Sequence, residues 1–450
     1  MLELGENFRN HWIYDWANAE DLRVIQRDRD NTLRQAHNHP ALLAIESAQG
    51  SHVVDRSGRR YLDLHGNNCH HIGHRHPLVI EALVRQLGQL SFNTRGFTNS
   101  SFVALAERLA SLWPGRDGRV FLTPGGAAAV ELALSLARVH SGRHKIIAFE
   151  DCYHGQSLGA MSLATPDHHG SPRLGPLLPG VFHVPSYKPS KNSAAETFND
   201  PALAARRSME KITESMEQNS DIACLIGETI ANGGYHPPPW FWPEVEALCR
   251  QHSVLLILDE IPTGLGKTGA FFNSSHFSLT PDITVIGKAL GGAAMPVAAV
   301  VASAELDSAP ELGLGYYTHE KNPLMACAAL TTIGIIQDEK LPERSLSLGA
   351  ELLEDLKAIQ NRYGDLVRMV RGTGLILSLD FAEGLNRGFN EPSPAQRVFY
   401  RCLEKGLILN YAGAGPTVAL SFPLNVDRAD ANWALEVLAD SFAEVALDRP

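Results

Sequence analysis

Residues 254–260, VLLILDE, and 281–293, PDITVIGKALGGA, decide how this chain folds. Each carries an apolar run of strand length, rich in Val, Ile and Leu and without polar alternation, as expected of strands covered on both faces. Outward from this pair, VFLT (120–123), KIIAFE (145–150), IACLIGE (222–228) and AAVVA (298–302) repeat the pattern, with helix-like segments between them. One of these, AAAVELALSLARVH after Gly126, is apolar on most faces and built from good helix formers, which predicts a buried helix. The alternation predicts an α/β fold: a large domain over 76–325 around a mainly parallel sheet.

Beyond about residue 325 an Ala- and Leu-rich helical stretch runs to about 360. It is followed by VRGTGLILSLDF, a helix near 394–405, GLILN, VALSF and a final helix. Short strands alternating with helices in this way predict a smaller α+β domain over 326–450. GSHVVDRSGRRYLDL (50–64) reads as a hairpin about Ser57-Gly58, and the segment 1–75 is predicted to pack with the small domain. The polar stretch SYKPSKNSAAETFNDP (186–201) reads as a surface loop.

With 450 residues, 44% hydrophobic and 20% charged, the composition is that of an ordinary globular protein. A formal net charge of -11 gives no reason to expect nucleic acid or an anionic membrane as partner, since both need a concentrated basic surface. The first residues mix acids, bases and aromatics unlike a signal peptide, and no apolar run approaches the roughly 20 residues of a membrane helix. The expectation is a cytoplasmic enzyme. Six cysteines without a CxxC pair argue against a zinc knuckle or a disulfide scaffold. In NNCHHIGHRHP, His70, His71, His74 and His76 crowd together, but apart from Cys69 nothing completes a familiar ligand spacing. No metal is expected there, and the histidines read as turn or pocket residues.

The chemistry sits in the two opening segments. Lys288 stands between an apolar run and a Gly-Gly turn, where a solvated lysine is out of place. Burial disfavours the charged form of an amine, so such a lysine acts as nucleophile and proton carrier, the property Schiff-base chemistry needs. Asp259, at the end of a neighbouring strand, is suited to pair with a pyridinium nitrogen. Thr123-Pro124-Gly125-Gly126-Ala127, between strand and helix, offers backbone N–H groups to a phosphate. Tyr153 follows the next strand and is placed to lie over an aromatic ring. Each has a plainer alternative: strand-end carboxylates cap helices, Gly-Gly makes tight turns, and tyrosines pack in cores.

Taken together, YHG (153–155), ETIANGG (228–234), DEIPTGLGKTG (259–269), GKALGG (287–292) and NPL (322–324) resemble the class III aminotransferases over nearly the whole chain. The resemblance implies the fold type I architecture, pyridoxal 5'-phosphate as cofactor, and a homodimer with active sites at the interface. It gives Lys288 the imine linkage, Asp259 the ring nitrogen, Tyr153 the ring face, and Gly126 and Ala127 the phosphate. Thr318 would reach the phosphate of the neighbouring subunit, Glu228 would lie near the substrate, and Arg371 would be structural.

Three departures bear on the substrate. Pro262 replaces a glutamine that contacts the cofactor's phenolic oxygen, and proline has neither side-chain donor nor N–H. Gly125-Gly126-Ala127-Ala128-Ala129 lacks the family's hydroxyls and glutamate, so phosphate binding must lean on backbone amides. Ala419 in VALSFPL stands where amino-acid-using members carry an arginine that forks the α-carboxylate. Arg95 and Lys321 are candidate replacements for an anion contact, with Asn67, Asn68, His70 and His71 as further polar candidates. The expected substrate is a small primary amine bearing a polar or anionic group. Transamination is the leading reaction, with elimination of ammonia or phosphate as its rival.

Overall fold

A computed structural model describes Arg9 and residues 11–33, 41–165, 174–188, 200–231, 233–382, 392–411 and 416–447. Most of the polar stretch 186–201, and Asn232 of ETIANGG, lie outside them. Two compact units form, one from 1–76 with 344–450 and one from 77–343.

In the first unit, after a helical turn over 11–16, helix α1 (Ala19–Asn31) follows, whose cap Asn18 accepts from the N–H groups of Glu20 and Asp21. Strands β1 (Ile45–Gln49), β2 (His52–Asp55) and β3 (Arg60–Leu64) follow. β2 and β3 form the predicted hairpin, in which Asp55 accepts from the Ser57 hydroxyl and the Arg59 N–H.

The second unit starts with α2 (Pro77–Gln89) and α3 (Ser100–Leu112). Then come β4 (Gly118–Thr123), α4 (Gly126–Ser141), β5 (Lys145–Phe149), α5 (Leu158–Ser162) and β6 (Val181–Val184). The unit continues through α6 (Pro201–Gln218), β7 (Ile222–Glu228), α7 (Phe241–His252), β8 (Leu255–Asp259), β9 (Ile283–Ile286), β10 (Ala298–Ser303) and α8 (Pro323–Asp338). Its seven strands run in the order β4-β10-β9-β8-β7-β5-β6. β6 through β9 pair in parallel, and β10 is antiparallel to both its neighbours. All six strands expected from the apolar runs are present; β6, VFHV, is the one that lacks such a run. Every residue of β7, β9 and β10 is buried, which is why their sequences show no polar alternation.

The helical stretch after 325 is two helices, because Lys340 adopts φ 51° between α8 and α9 (Leu341–Arg362). α8 packs on α2 and α3, so the structure groups residues up to 343 with the sheet unit, and not only those up to about 325.

In the first unit the chain then continues with β11 (Val367–Thr373), β12 (Ile376–Phe381), α10 (Pro394–Glu404), β13 (Leu407–Leu409), β14 (Thr417–Ser421) and α11 (Arg428–Leu447). β13 joins β1-β2-β3 alongside β3, while β11-β12-β14 form a separate sheet. In that sheet Arg371 grips Asp380 with two nitrogens, at 2.5 and 2.9 Å, and Thr417 donates to the same carboxylate at 2.6 Å. Arg371 therefore ties β11 to β12 within the small unit.

Candidate active site

Five segments bring their side chains to one edge of the large sheet. β4, β5, β7, β8 and β9 all point the same way, and the residues just past their C-terminal ends are Gly125–Ala127, Tyr153–His154, Glu228, Asp259 and Lys288. In an open α/β sheet this is the edge where ligands bind. The register places Glu228 beside Asp259, and Asp259 beside Val285, three residues before Lys288.

Asp259 is 1% exposed and ends β8. Its Oδ2 lies 2.7 Å from His154 Nδ1, also buried, and its Oδ1 accepts from the Ile261 N–H at 3.0 Å. Burial alone would drive the His154 proton off. The Cys152 sulfur and the Asp259 carboxylate outweigh it, and the His154 pKa sits well above the usual imidazole range. The imidazole and the carboxylate thus lie in direct contact in a buried setting. Two of the carboxylate's roughly four lone-pair positions remain for a further donor, which is what a ring nitrogen requires.

Glu228 is the second carboxylate. Burial raises its pKa first and Asp259 adds to the rise, while His154, Lys288 and Lys188 pull the other way. Like charges on adjacent strands cannot both ionise cheaply. The floor beneath Glu228 is aromatic. Tyr187 donates to its carbonyl at 2.9 Å and Trp242 to that of Thr229 at 3.1 Å. A Cβ on Gly227 would lie 2.6 Å from Phe149 and 2.7 Å from Trp242, so only glycine lets β7 descend onto these rings. Tyr153 is 38% exposed, and its N–H lies 3.4 Å from Glu228 Oε2.

α4 begins at Gly125 with no side-chain cap, leaving its first N–H groups to an anion. Ile261 fixes this end: a Cβ on Gly126 would come within 2.7 Å of its Cδ1, and one on Gly287 within 3.6 Å. Lys288 follows Gly287 with φ 45°, a left-handed conformation uncommon outside glycine and frequent at functional sites. A buried carboxylate with spare acceptor positions, an uncapped helix start and a lysine on a strained turn together fit pyridoxal phosphate.

Arg95, Thr318 and Lys321 form a second grouping. Arg95 lies over the Tyr316 ring and 3.7 Å from Glu320, and Lys321 donates to the Arg95 carbonyl at 3.1 Å. Thr318 is exposed in the same loop, and Tyr317, not Thr318, reaches α4 of its own chain, donating to Ala128 O at 3.2 Å. Asn67 is exposed in the small unit, whereas His70 there is 0% exposed, so it offers no surface to a substrate. His154, Ile261 and Glu320 escaped the sequence reading. Only His154 left a signal, its place in YHG directly after a strand end.

Residues 34–442 match the family described as Aminotransferase class-III. The chain belongs to that family. It is 33% identical to an (R)-1-hydroxy-2-aminoethylphosphonate ammonia-lyase of Vibrio splendidus (strain 12B01), over 98% of this chain and 94% of the relative. It is also 33% identical to the 5-aminovalerate aminotransferase DavT of Pseudomonas aeruginosa, over 91% of this chain and 95% of the relative. A PLP-bound amine transaminase structure from an uncultivated Pseudomonas species superimposes with a TM-score of 0.82 at 28% identity, covering 92% of this chain and 97% of that one.

As a class III member the enzyme depends on pyridoxal phosphate, which when bound supplies an electron sink for the carbon next to the amine. The chain's part is to place and protonate. The residues that would hold the cofactor are Asp259 at the ring nitrogen, the first N–H groups of α4 at the phosphate and Tyr153 at the ring face. Lys288 Nζ would be the group placed to carry a proton at the reacting carbon.

Glu260, next to Asp259, has a different task. It accepts from the Asn273 and Ser274 N–H groups at 2.5 and 2.8 Å, tying the following loop down, and burial pushes its pKa up to about 7. A carboxyl with a raised folded pKa lends stability that is fully present below its usual range and lost as pH rises through about 7. From about pH 5 to about pH 8 the melting temperature of the natural protein should therefore fall relative to Glu260→Gln; parallel curves would refute the assignment. For Lys288, borohydride reduction and peptide mapping should label that residue alone, and Lys288→Ala should abolish turnover with the fold retained. Label on another lysine would overturn its role.

Proposed function

We propose that the enzyme is an ammonia-lyase acting on a small primary amine that carries a phosphonate or phosphate group. The observation that carries this reading is Ala419. It lies on β14 opposite Ser378 and exchanges backbone hydrogen bonds with Asn410, so its place in the strand is filled without a guanidinium. An α-carboxylate loses its fork there, and the substrate's charge must be met by other cations. Arg95 and Lys321, packed in one loop cluster, serve that purpose, with Glu320 holding Arg95 in reserve. Full-length similarity to an aminophosphonate ammonia-lyase supports the same reading. Transamination of an ω-amine is the second reading, favoured by the similarity to DavT. The two share all the proton-moving residues and differ in whether an amino acceptor is consumed.

The enzyme works as a cytoplasmic homodimer. The cysteines are all free thiols, and among the described residues no helix is long and apolar enough to cross a membrane. Ile80, Val84 and Leu87 on α2 are 39%, 66% and 61% exposed and share one face, an apolar face suited to a second copy, and Thr318 is exposed where a neighbouring subunit's phosphate can take it. Sedimentation at micromolar protein should show dimer, and a fully active monomer would refute the shared site.

The reaction is tested by incubating the enzyme with 1-hydroxy-2-aminoethylphosphonate, with and without pyruvate or 2-oxoglutarate. Ammonia should appear without an acceptor, one per amine consumed, and phosphate should not; turnover only with acceptor would establish the transaminase instead. Arg95→Ala should lower kcat/KM for the anionic amine by about ten- to hundredfold and spare neutral amines. An equal loss on both would make Arg95 structural.

A further inference from the structure

The histidine-rich stretch after β3 lacks an acidic neighbour in sequence, but the fold supplies one. Asp63, on β3, has Oδ1 held by the N–H groups of His65 and Gly66 at 2.9 and 2.8 Å, which turns Oδ2 toward His74 Nε2 at 2.9 Å. His70 closes the other side. Its Nε2 is 2.9 Å from the Asp63 carbonyl oxygen, and its ring centroid is 5.2 Å from that of His74. Gly66 makes this possible: a Cβ there would fall 2.0 Å from His70 Nδ1, so any side chain at 66 would expel the ring. One donor atom from each of Asp63, His70 and His74 lies within 4.8 Å of the other two.

We propose that Asp63, His70 and His74 form a site for a divalent transition-metal ion, of which zinc is the natural candidate. Two imidazoles and one carboxylate are the donor set of many zinc sites, and borderline nitrogen ligands select such metals over magnesium or calcium. Bonds of about 2.1 Å put neighbouring donors about 3.4 Å apart, so the Asp63–His74 pair, at 2.9 Å, must open slightly and no separation need close by more than about 1.4 Å, within the reach of side-chain rotation. The supports are already built. Two backbone N–H groups orient the carboxylate, and the Asp63 carbonyl, 2.9 Å from Nε2, orients the His70 ring. His74 is the least buried of the three, with 19% of its side chain exposed, and opens the fourth position to water. The ion would pin the turn between β3 and α2. This site is independent of the reaction assigned above.

The test uses untagged holoenzyme treated with chelator and dialysed. Titration with Co(II), followed by visible absorption, should show one equivalent per chain, displaced by Zn(II), and Zn(II) but not Mg(II) should raise the melting temperature. His70→Gln leaves the Asp63–His74 contact in place and should weaken binding by at least about a hundredfold. Should that variant fail to fold, X-ray absorption of the zinc-loaded natural protein decides: two imidazoles and a carboxylate oxygen are expected. No uptake, equal uptake by His70→Gln, or a sulfur or all-oxygen shell would overturn the proposal.

Discussion

A carboxylate buried at the end of β8 is tolerable only because an imidazolium meets it. Removing both charges from water costs several kcal/mol for each ion, which the 2.7 Å contact between His154 and Asp259, with the Ile261 N–H behind it, must offset. Glu228, on the neighbouring strand, feels the same burial: it raises the carboxyl's pKa and Asp259 adds to the rise, while His154, Lys288 and Lys188 oppose it.

Close approach is the second constraint, and small residues meet it. Gly126 yields to the Ile261 side chain, a Cβ on Gly287 would come to 3.1 Å from Ala298 Cβ, Gly227 yields to Phe149 and Trp242, and Gly155, at φ 131°, would bring a Cβ to 2.6 Å from Ala127 Cβ. The last of these lets the segment carrying Tyr153 and His154 cross directly over the start of α4. The family's hydroxyls are missing from that start, yet its backbone N–H groups stay exposed because nothing caps them.

The α/β architecture was legible because strands buried on both faces must be largely apolar, and β7, β8, β9 and β10 are, but for Thr284 and the C-terminal Glu228, Asp259 and Ser303. β6 was not: three of its four residues are only half-buried, and His183 interrupts the run. The break between α8 and α9 escaped because it rests on one left-handed lysine, which leaves no mark in hydrophobic periodicity. In the site, Lys288, Asp259 and Gly126 announced themselves by standing beside apolar runs or turns. Ile261 could not, since an apolar residue after a strand has no distinctive signature and its importance lies in which glycines it touches. Asp63 was invisible as a neighbour of His70 and His74 for a related reason: sequence spacing does not measure the distance closed by a turn with two left-handed asparagines, Asn67 and Asn68.

The strand order has a kinetic corollary. Four of the six pairings in the large sheet are parallel, and each joins strands separated by a helix or a long connection. Contacts of such sequence separation form late, after their loop-closure entropy has been met. Asp259, Glu228, Lys288 and the α4 start come from different strands of that sheet, so they meet only when those strands pair. The cofactor can then bind only the finished sheet, so its concentration while the chain folds bears directly on how much of the enzyme persists.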